Sequence, residues 1–172
     1  MSWQKLMALA GIGVVLTVSG CAAGSGGQAG AAAPGGSATT VSMRNVTGVG
    51  SALVDSAGET LYFSDVESTG TVRCLDACLH FWKPLTVDQG VTPTAATGVA
   101  GTLATITRPD GPTQVTLDGK PLYTFSLDGG AGQAKGNGFT DSFDGTQFRW
   151  QAATASGAAP TASATDGNGY GY

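Results

Sequence analysis

Charge is scarce in this chain. Only 12% of its 172 residues are Asp, Glu, Lys or Arg, and histidine occurs once, at His80. A Ser-His-Asp arrangement therefore has one available base, and no nucleophile elbow or Cys-His pairing accompanies it. The aspartates are scattered singly, so a two-carboxylate glycosidase site has no support. No Asp-x-Asp-x-Asp loop is offered to calcium. The c-type haem spacing is missing too, since Cys74 and Cys78 have three residues between them and no immediate histidine. Eight basic residues against twelve acidic ones argue against nucleic acid and against a polybasic membrane surface. These absences predict a protein that is not an enzyme.

The N-terminal apolar run, Leu6 to Val18, is too short to span a bilayer comfortably. With Lys5 ahead of it, it fits the core of a signal peptide. It ends in Val18-Ser19-Gly20-Cys21, which resembles a bacterial lipobox: an aliphatic residue and two small ones, then the cysteine. The resemblance implies that residues 1–20 are a lipoprotein signal peptide and that the Cys21 thiol takes a diacylglycerol. The membrane is then met through a lipid anchor, on the extracytoplasmic face, and is not spanned. Each buried acyl methylene adds about 0.8 kcal/mol, so two chains hold far more durably than one. Lys5 is lost with the signal, leaving seven basic against twelve acidic side chains, a net charge of about −5. Export also places Cys74 and Cys78 in an oxidising compartment.

Residues 21–40 carry neither charge nor aromatic ring and read as a lipidated flexible tether. Residues 152–172, rich in Ala, Thr, Ser and Gly, are expected to be a disordered tail. What remains, residues 41–151, is long enough for one modest core.

Within it the local signal is β. Ser51–Asp55, Thr60–Ser64, Thr102–Thr107, Gln114–Leu117 and Pro121–Phe125 carry β-branched or aromatic residues, and turn residues separate them. Asp118-Gly119 predicts a two-residue hairpin, because glycine accepts the positive φ of a type I′ turn. Only Arg73 to Trp82 has helical character, two turns at most. An internal repeat relates Leu53-Val-Asp-Ser-Ala-Gly-Glu-Thr-Leu-Tyr-Phe to Thr116-Leu-Asp-Gly-Lys-Pro-Leu-Tyr-Thr-Phe, with Tyr62 and Tyr123 in corresponding places. Two copies are too few for a solenoid. The expected fold is an all-β, compact domain of two related hairpin-containing repeats, with one short helical turn around the Cys-x-x-x-Cys segment.

At these residues the chain resembles a family of bacterial secreted repeats, described as lipoproteins with a Tyr-x-aromatic-x-x-Asp motif and having no established activity. Tyr123-Thr-Phe125-Ser-Leu-Asp128 matches the motif fully; Leu61-Tyr62-Phe63-Ser64-Asp65 is a compressed copy that matches only in part. The segment Cys74-Leu-Asp-Ala-Cys78-Leu-His-Phe-Trp82-Lys-Pro84-Leu85 is similar to the family's first repeat, with Lys83 where proline is usual. Gly136-Asn-Gly138 and Trp150 resemble its closing pattern, and Phe139 to Arg149 stands as extra length. The resemblance implies an envelope lipoprotein with a β-rich body.

A helical turn would place Cys74 and Cys78 on one face, near the Cα separation a disulfide needs. The preferred expectation is a structural disulfide. The alternative is an extracytoplasmic copper or thiol-redox carrier, with two thiolates suited to Cu(I) and His80 as a third ligand. On a helix, however, His80 points to another face than Cys78. Asp65 and Asp128 are expected to cap turns. Tyr62, Phe63, Phe81, Trp82, Tyr123, Phe125 and Trp150 are expected to be core and cross-strand pairs rather than the lining of a ligand groove. The expected role is non-catalytic, binding or structural, toward an envelope protein or small ligand that the residues do not identify.

Overall fold

The computed structural model describes residues 39–155. The expected signal peptide, Cys21, the expected tether up to residue 38 and the expected tail beyond residue 155 lie outside the described residues. Eleven strands run in order: β1 (Ser42–Val46), β2 (Gly50–Val54), β3 (Tyr62–Ser64), β4 (Trp82–Pro84), β5 (Thr86–Val87), β6 (Leu103–Thr107), β7 (Thr113–Leu117), β8 (Lys120–Pro121), β9 (Tyr123–Phe125), β10 (Thr140–Phe143) and β11 (Thr146–Ala152). Two 3-10 turns, Asp65–Glu67 and Asp76–His80, are the only helical elements among the described residues. The second holds the Cys-x-x-x-Cys segment, so the fold is all-β with the expected short helical turn. No described helix is long and apolar enough to cross a membrane.

The strands form a five-stranded sheet in the order β10-β11-β3-β9-β4, a sheet β5-β7-β6 with β8 also on β7, and the hairpin β1-β2. Asp118 and Gly119 take φ of 50° and 80°, the type I′ turn predicted between β7 and β8. Asp144 and Gly145 repeat this, at 49° and 75°, between β10 and β11.

The two repeats are related by a local two-fold axis. β3 and β9 run antiparallel with Tyr62 opposite Tyr123, so corresponding residues of the two copies face each other. The correspondence extends outward. Leu61 N–H donates to Leu53 C=O (2.9 Å) as Leu122 N–H donates to Val115 C=O (3.0 Å). The hairpin β1-β2 thus matches β6-β7.

The last strand of each repeat is exchanged. Leu85, after Trp82, donates to Leu122 C=O (2.9 Å) and accepts from Val115 N–H (2.8 Å), both in the second repeat. Ala153, after Trp150, donates to Leu61 C=O (2.8 Å) and accepts from Leu53 N–H (2.8 Å), both in the first. Neither repeat completes its own sheet.

Strand alternation then buries both sides of this centre. Leu61 and Leu122 pack with Leu53, Val115, Leu117, Val41 and Ala153. Tyr62 and Tyr123 point the other way, into a cluster with Trp82, Trp150, Phe125, Phe148 and the two cysteines.

The domain is longer than residues 41–151. Thr40 N–H donates to Thr94 C=O (2.9 Å), and Ala152, Ala153 and Thr154 are buried. Small side chains hide this strand from a reading based on large apolar residues; the backbone bonds hold it. Ending the chain at residue 151 removes the bonds of Ala153 to Leu53 and Leu61 and those of Ala155 to Ser51 and Ala100. At roughly 1 kcal/mol each, urea unfolding should show a loss of about 3–4 kcal/mol, whereas a chain ending at residue 155 should keep full stability.

Candidate functional site

The two tyrosine-containing motifs converge on the two-fold axis. The Tyr62 hydroxyl donates to Asp128 Oδ2 at 2.7 Å, and the Tyr123 hydroxyl donates to Glu67 Oε1 at 3.1 Å. Each tyrosine is held by the acid of the other repeat. Both acids lie five residues after their own repeat's tyrosine, so Glu67, not Asp65, is the counterpart of Asp128. The first copy is therefore not compressed: it keeps the motif's spacing, with Ser64 in place of Phe125 and Glu67 in place of Asp128. A glutamate in the aspartate's position concealed this.

Asp65 has another task. Its Oδ1 accepts from Val66 N–H (2.8 Å), inside the 3-10 turn that it opens, and from Arg149 N–H (3.0 Å), which ties that turn to β11; the turn has no side-chain cap. Asp128 does more than cap a turn. It is 3% exposed, and its Oδ1 accepts from the amides of Lys135 (2.7 Å) and Gly136 (3.4 Å). Glu67 Oε1 correspondingly accepts from the amides of Arg73 (2.6 Å) and Cys74 (2.8 Å). Burial raises both carboxyls above the ordinary range, with these amide donors pulling the other way. Burial and the neighbouring carboxylates also push both tyrosine hydroxyls above the usual phenol range.

The tryptophans occupy corresponding positions as well. Trp82 pairs with Phe125 across β4-β9, and Trp150 pairs with Ser64 across β11-β3. Their rings stack on each other, centroids 3.8 Å apart and planes 11° off parallel. Trp82 stacks further on Phe125, while on the Ser64 side Phe148 stacks on Trp150. Asp141 closes the arrangement. Its Oδ2 accepts from Trp82 Nε1 (2.7 Å) and its Oδ1 from Trp150 Nε1 (2.9 Å). The segment Phe139 to Arg149, extra length by its sequence, is thus the hairpin that supplies this clamp. Gly136 is required beneath it, because a Cβ there would lie 2.8 Å from Trp82 and 3.0 Å from Tyr62.

Arg108 carries no sequence signal of its role. Its side chain is fully buried and pairs with Asp110 (2.8 Å). It donates also to Gln114 Oε1 (2.6 Å), Cys74 C=O (2.8 Å) and the Tyr123 hydroxyl (3.3 Å). The Asp-Gly turn beside it masks its burial in the sequence.

Cys74 and Cys78 form a disulfide with Cα atoms 5.3 Å apart, and both are fully buried. His80 is exposed and does not join them. Among the described residues no three His, Cys, Asp or Glu side chains converge as metal ligands. Phe63 is half-buried under Lys120, Pro84 lies opposite Tyr123, and Phe81 is 41% exposed, stacked on Phe143. The other expected core aromatics are buried, so the motif builds an interior and not a cleft.

A family model described as a secreted repeat of unknown function matches residues 104–146. That span runs from β6 to the β10-β11 turn, the second copy without its exchanged strand. The resemblance read from the motifs is met there, and the two-fold axis relates residues 42–87 to that span within this chain. No curated protein and no solved structure matches the chain.

Asp141→Asn should lower stability by about 1–3 kcal/mol, because an amide N–H₂ is turned toward one indole N–H. The pH response is a second readout. Burial raises the folded-state pKa of Asp141, Glu67 and Asp128, so the folded chain holds their protons more tightly than the unfolded one. Their contribution is present below the ordinary carboxyl pKa of about 4 and is lost as pH rises through the folded values. The melting temperature should fall over that rise, and less steeply in Asp141→Asn. Separately, replacing both Cys74 and Cys78 by Ser should lower stability by about 2 kcal/mol.

Proposed function

We propose that the protein is a lipid-anchored lipoprotein of the cell envelope, held through Cys21 on the extracytoplasmic face of the membrane, with a non-catalytic binding or structural role. The observation that carries this reading is that the motif's tyrosine hydroxyls and thiols are engaged in the interior, where Glu67 Oε2 is buried without a partner. Tyr62, Tyr123, Glu67, Cys74 and Cys78 are all fully buried, and each tyrosine hydroxyl is engaged by a carboxylate. A general acid or base must reach its substrate, and these do not. The buried disulfide suits an oxidising compartment. The matched family's description as secreted supports the same compartment. The lipobox at Val18 to Cys21 supports the anchor.

Cys21→Ser should move the protein from the detergent phase to the aqueous phase and abolish labelling by a fatty-acid probe. Unchanged partitioning of that variant would refute the anchor. An exported protein whose reduced form bound one Cu(I) tightly, with loss in Cys74→Ser, would refute the non-catalytic structural role of the pair.

A further inference from the structure

Strand β6 pairs with β7 on one side and with no described strand on the other. Val115, in β7, donates its N–H to Leu85 and accepts from Leu122 with its C=O, both away from β6. Thr105 stands opposite Val115, so the two exchange no bonds and the N–H and C=O of Thr105 point outward. Leu103 and Thr107, two residues either way, do the same. Among the described residues no backbone group meets these three. Leu103–Thr107 also contains no charge and no proline, the devices that guard an open edge.

In the other half the matching edge is covered. Met43 stands opposite Leu53 as Thr105 stands opposite Val115, so Val41 corresponds to Leu103 and Thr40 to Thr102. Val41 N–H donates to Thr94 C=O (3.1 Å), and its C=O accepts from Ala96 N–H (2.8 Å), a parallel bridge centred on Ala95. Thr40 Oγ1 accepts from Thr94 N–H (3.1 Å), and Pro93 ahead of it is buried. Val41 is fully buried under this cover, whereas Leu103 is only partly buried.

The covering segment comes from the exchanged strand: Thr94 follows Val87 by seven residues. Ala155 corresponds to Val87, because Ala153 and Leu85 make matching bonds. Thr161 follows Ala155 by six residues, and there the sequence repeats, with Pro160-Thr161-Ala162-Ser163 against Pro93-Thr94-Ala95-Ala96. The first link uses residues in a turn, Val91 N–H donating to Asp88 C=O (3.0 Å), so a link one residue shorter spans the same distance.

We propose that residues 160–163 cover the β6 edge of their own molecule as a short parallel strand. Leu103 N–H donates to Thr161 C=O, Leu103 C=O accepts from Ser163 N–H, and the Thr102 hydroxyl accepts from Thr161 N–H. The bond of Thr40 N–H to Thr94 C=O has no counterpart, because Thr102 N–H is held by Asp118 Oδ1 (2.8 Å). Ordering the segment costs conformational entropy that offsets most of what these few bonds supply. The docking is therefore local, leaves global unfolding nearly unchanged and is independent of the anchor at Cys21.

The test is amide hydrogen exchange, read by NMR on the full chain in detergent micelles. The Leu103 amide should exchange about threefold more slowly than in a chain ending at residue 155. Ser163→Pro removes one donor without touching the domain and should restore the faster rate. The Val41 amide should exchange equally in all three proteins. Thr105 should stay fast in each, since its counterpart Met43 has no backbone cover either. A nuclear Overhauser contact between Ala162 and Leu103 is expected in the full chain alone. Equal Leu103 exchange in the full chain and in Ser163→Pro overturns the proposal. Protection that grows with protein concentration overturns it too, since it places a second copy on the edge.

Discussion

The pairing of Tyr62 with Tyr123 is the constraint on which the rest of this domain depends. Two antiparallel strands with corresponding residues face to face generate the two-fold axis, and the axis sets the remaining contacts of the centre. Each hydroxyl reaches the carboxylate of the opposite repeat because the two acids flank the axis. A buried phenol without a partner would cost about 1–3 kcal/mol, so the acids five positions along are structurally required. Those acids then gather the amides of Arg73, Cys74, Lys135 and Gly136, which positions the disulfide on one side and the glycine turn on the other.

Departures from symmetry are as informative as the symmetry. The second repeat places Phe125 against Trp82; the first has Ser64 near Trp150, and Phe148 supplies the missing ring. A single carboxylate, Asp141, serves both indoles, which a strictly symmetric chain cannot arrange except on the axis itself. Arg108 is found in the second repeat alone and joins Gln114, Tyr123 and the carbonyl of Cys74 in one network. Its burial is tolerable because every direction of the guanidinium meets an acceptor.

Much of the fold is legible in the sequence because strand and turn chemistry is local. The runs around Leu53, Tyr62, Ile106, Val115 and Tyr123, and the Asp118-Gly119 turn, lie in strands and a hairpin as their residue types dictate. The disulfide is legible from spacing. Less legible are β1, where Met43, Arg44 and Asn45 give no clear alternation, and the Ala152–Thr154 edge, whose small side chains carry no apolar signal. Asp144-Gly145 offers the same hairpin signal as Asp118-Gly119, but polar flanks obscure it. The site is misaligned at one position, Asp65 for Glu67, when matching residue identity is favoured over matching spacing. Asp141 and Arg108 act through contacts with residues far along the chain, which no local pattern reveals.

The exchange of final strands bears on how the molecule comes into being. A ribosome delivers the chain from its N-terminus, and the first repeat lacks its last strand until Ala153 has been made. The hairpin β1-β2 and strand β3 must wait, unpaired along one edge, while the entire second repeat is synthesised. Such a topology closes late and through contacts distant in sequence, which slows folding. The same architecture that locks the finished domain leaves the unfinished one with an open strand edge.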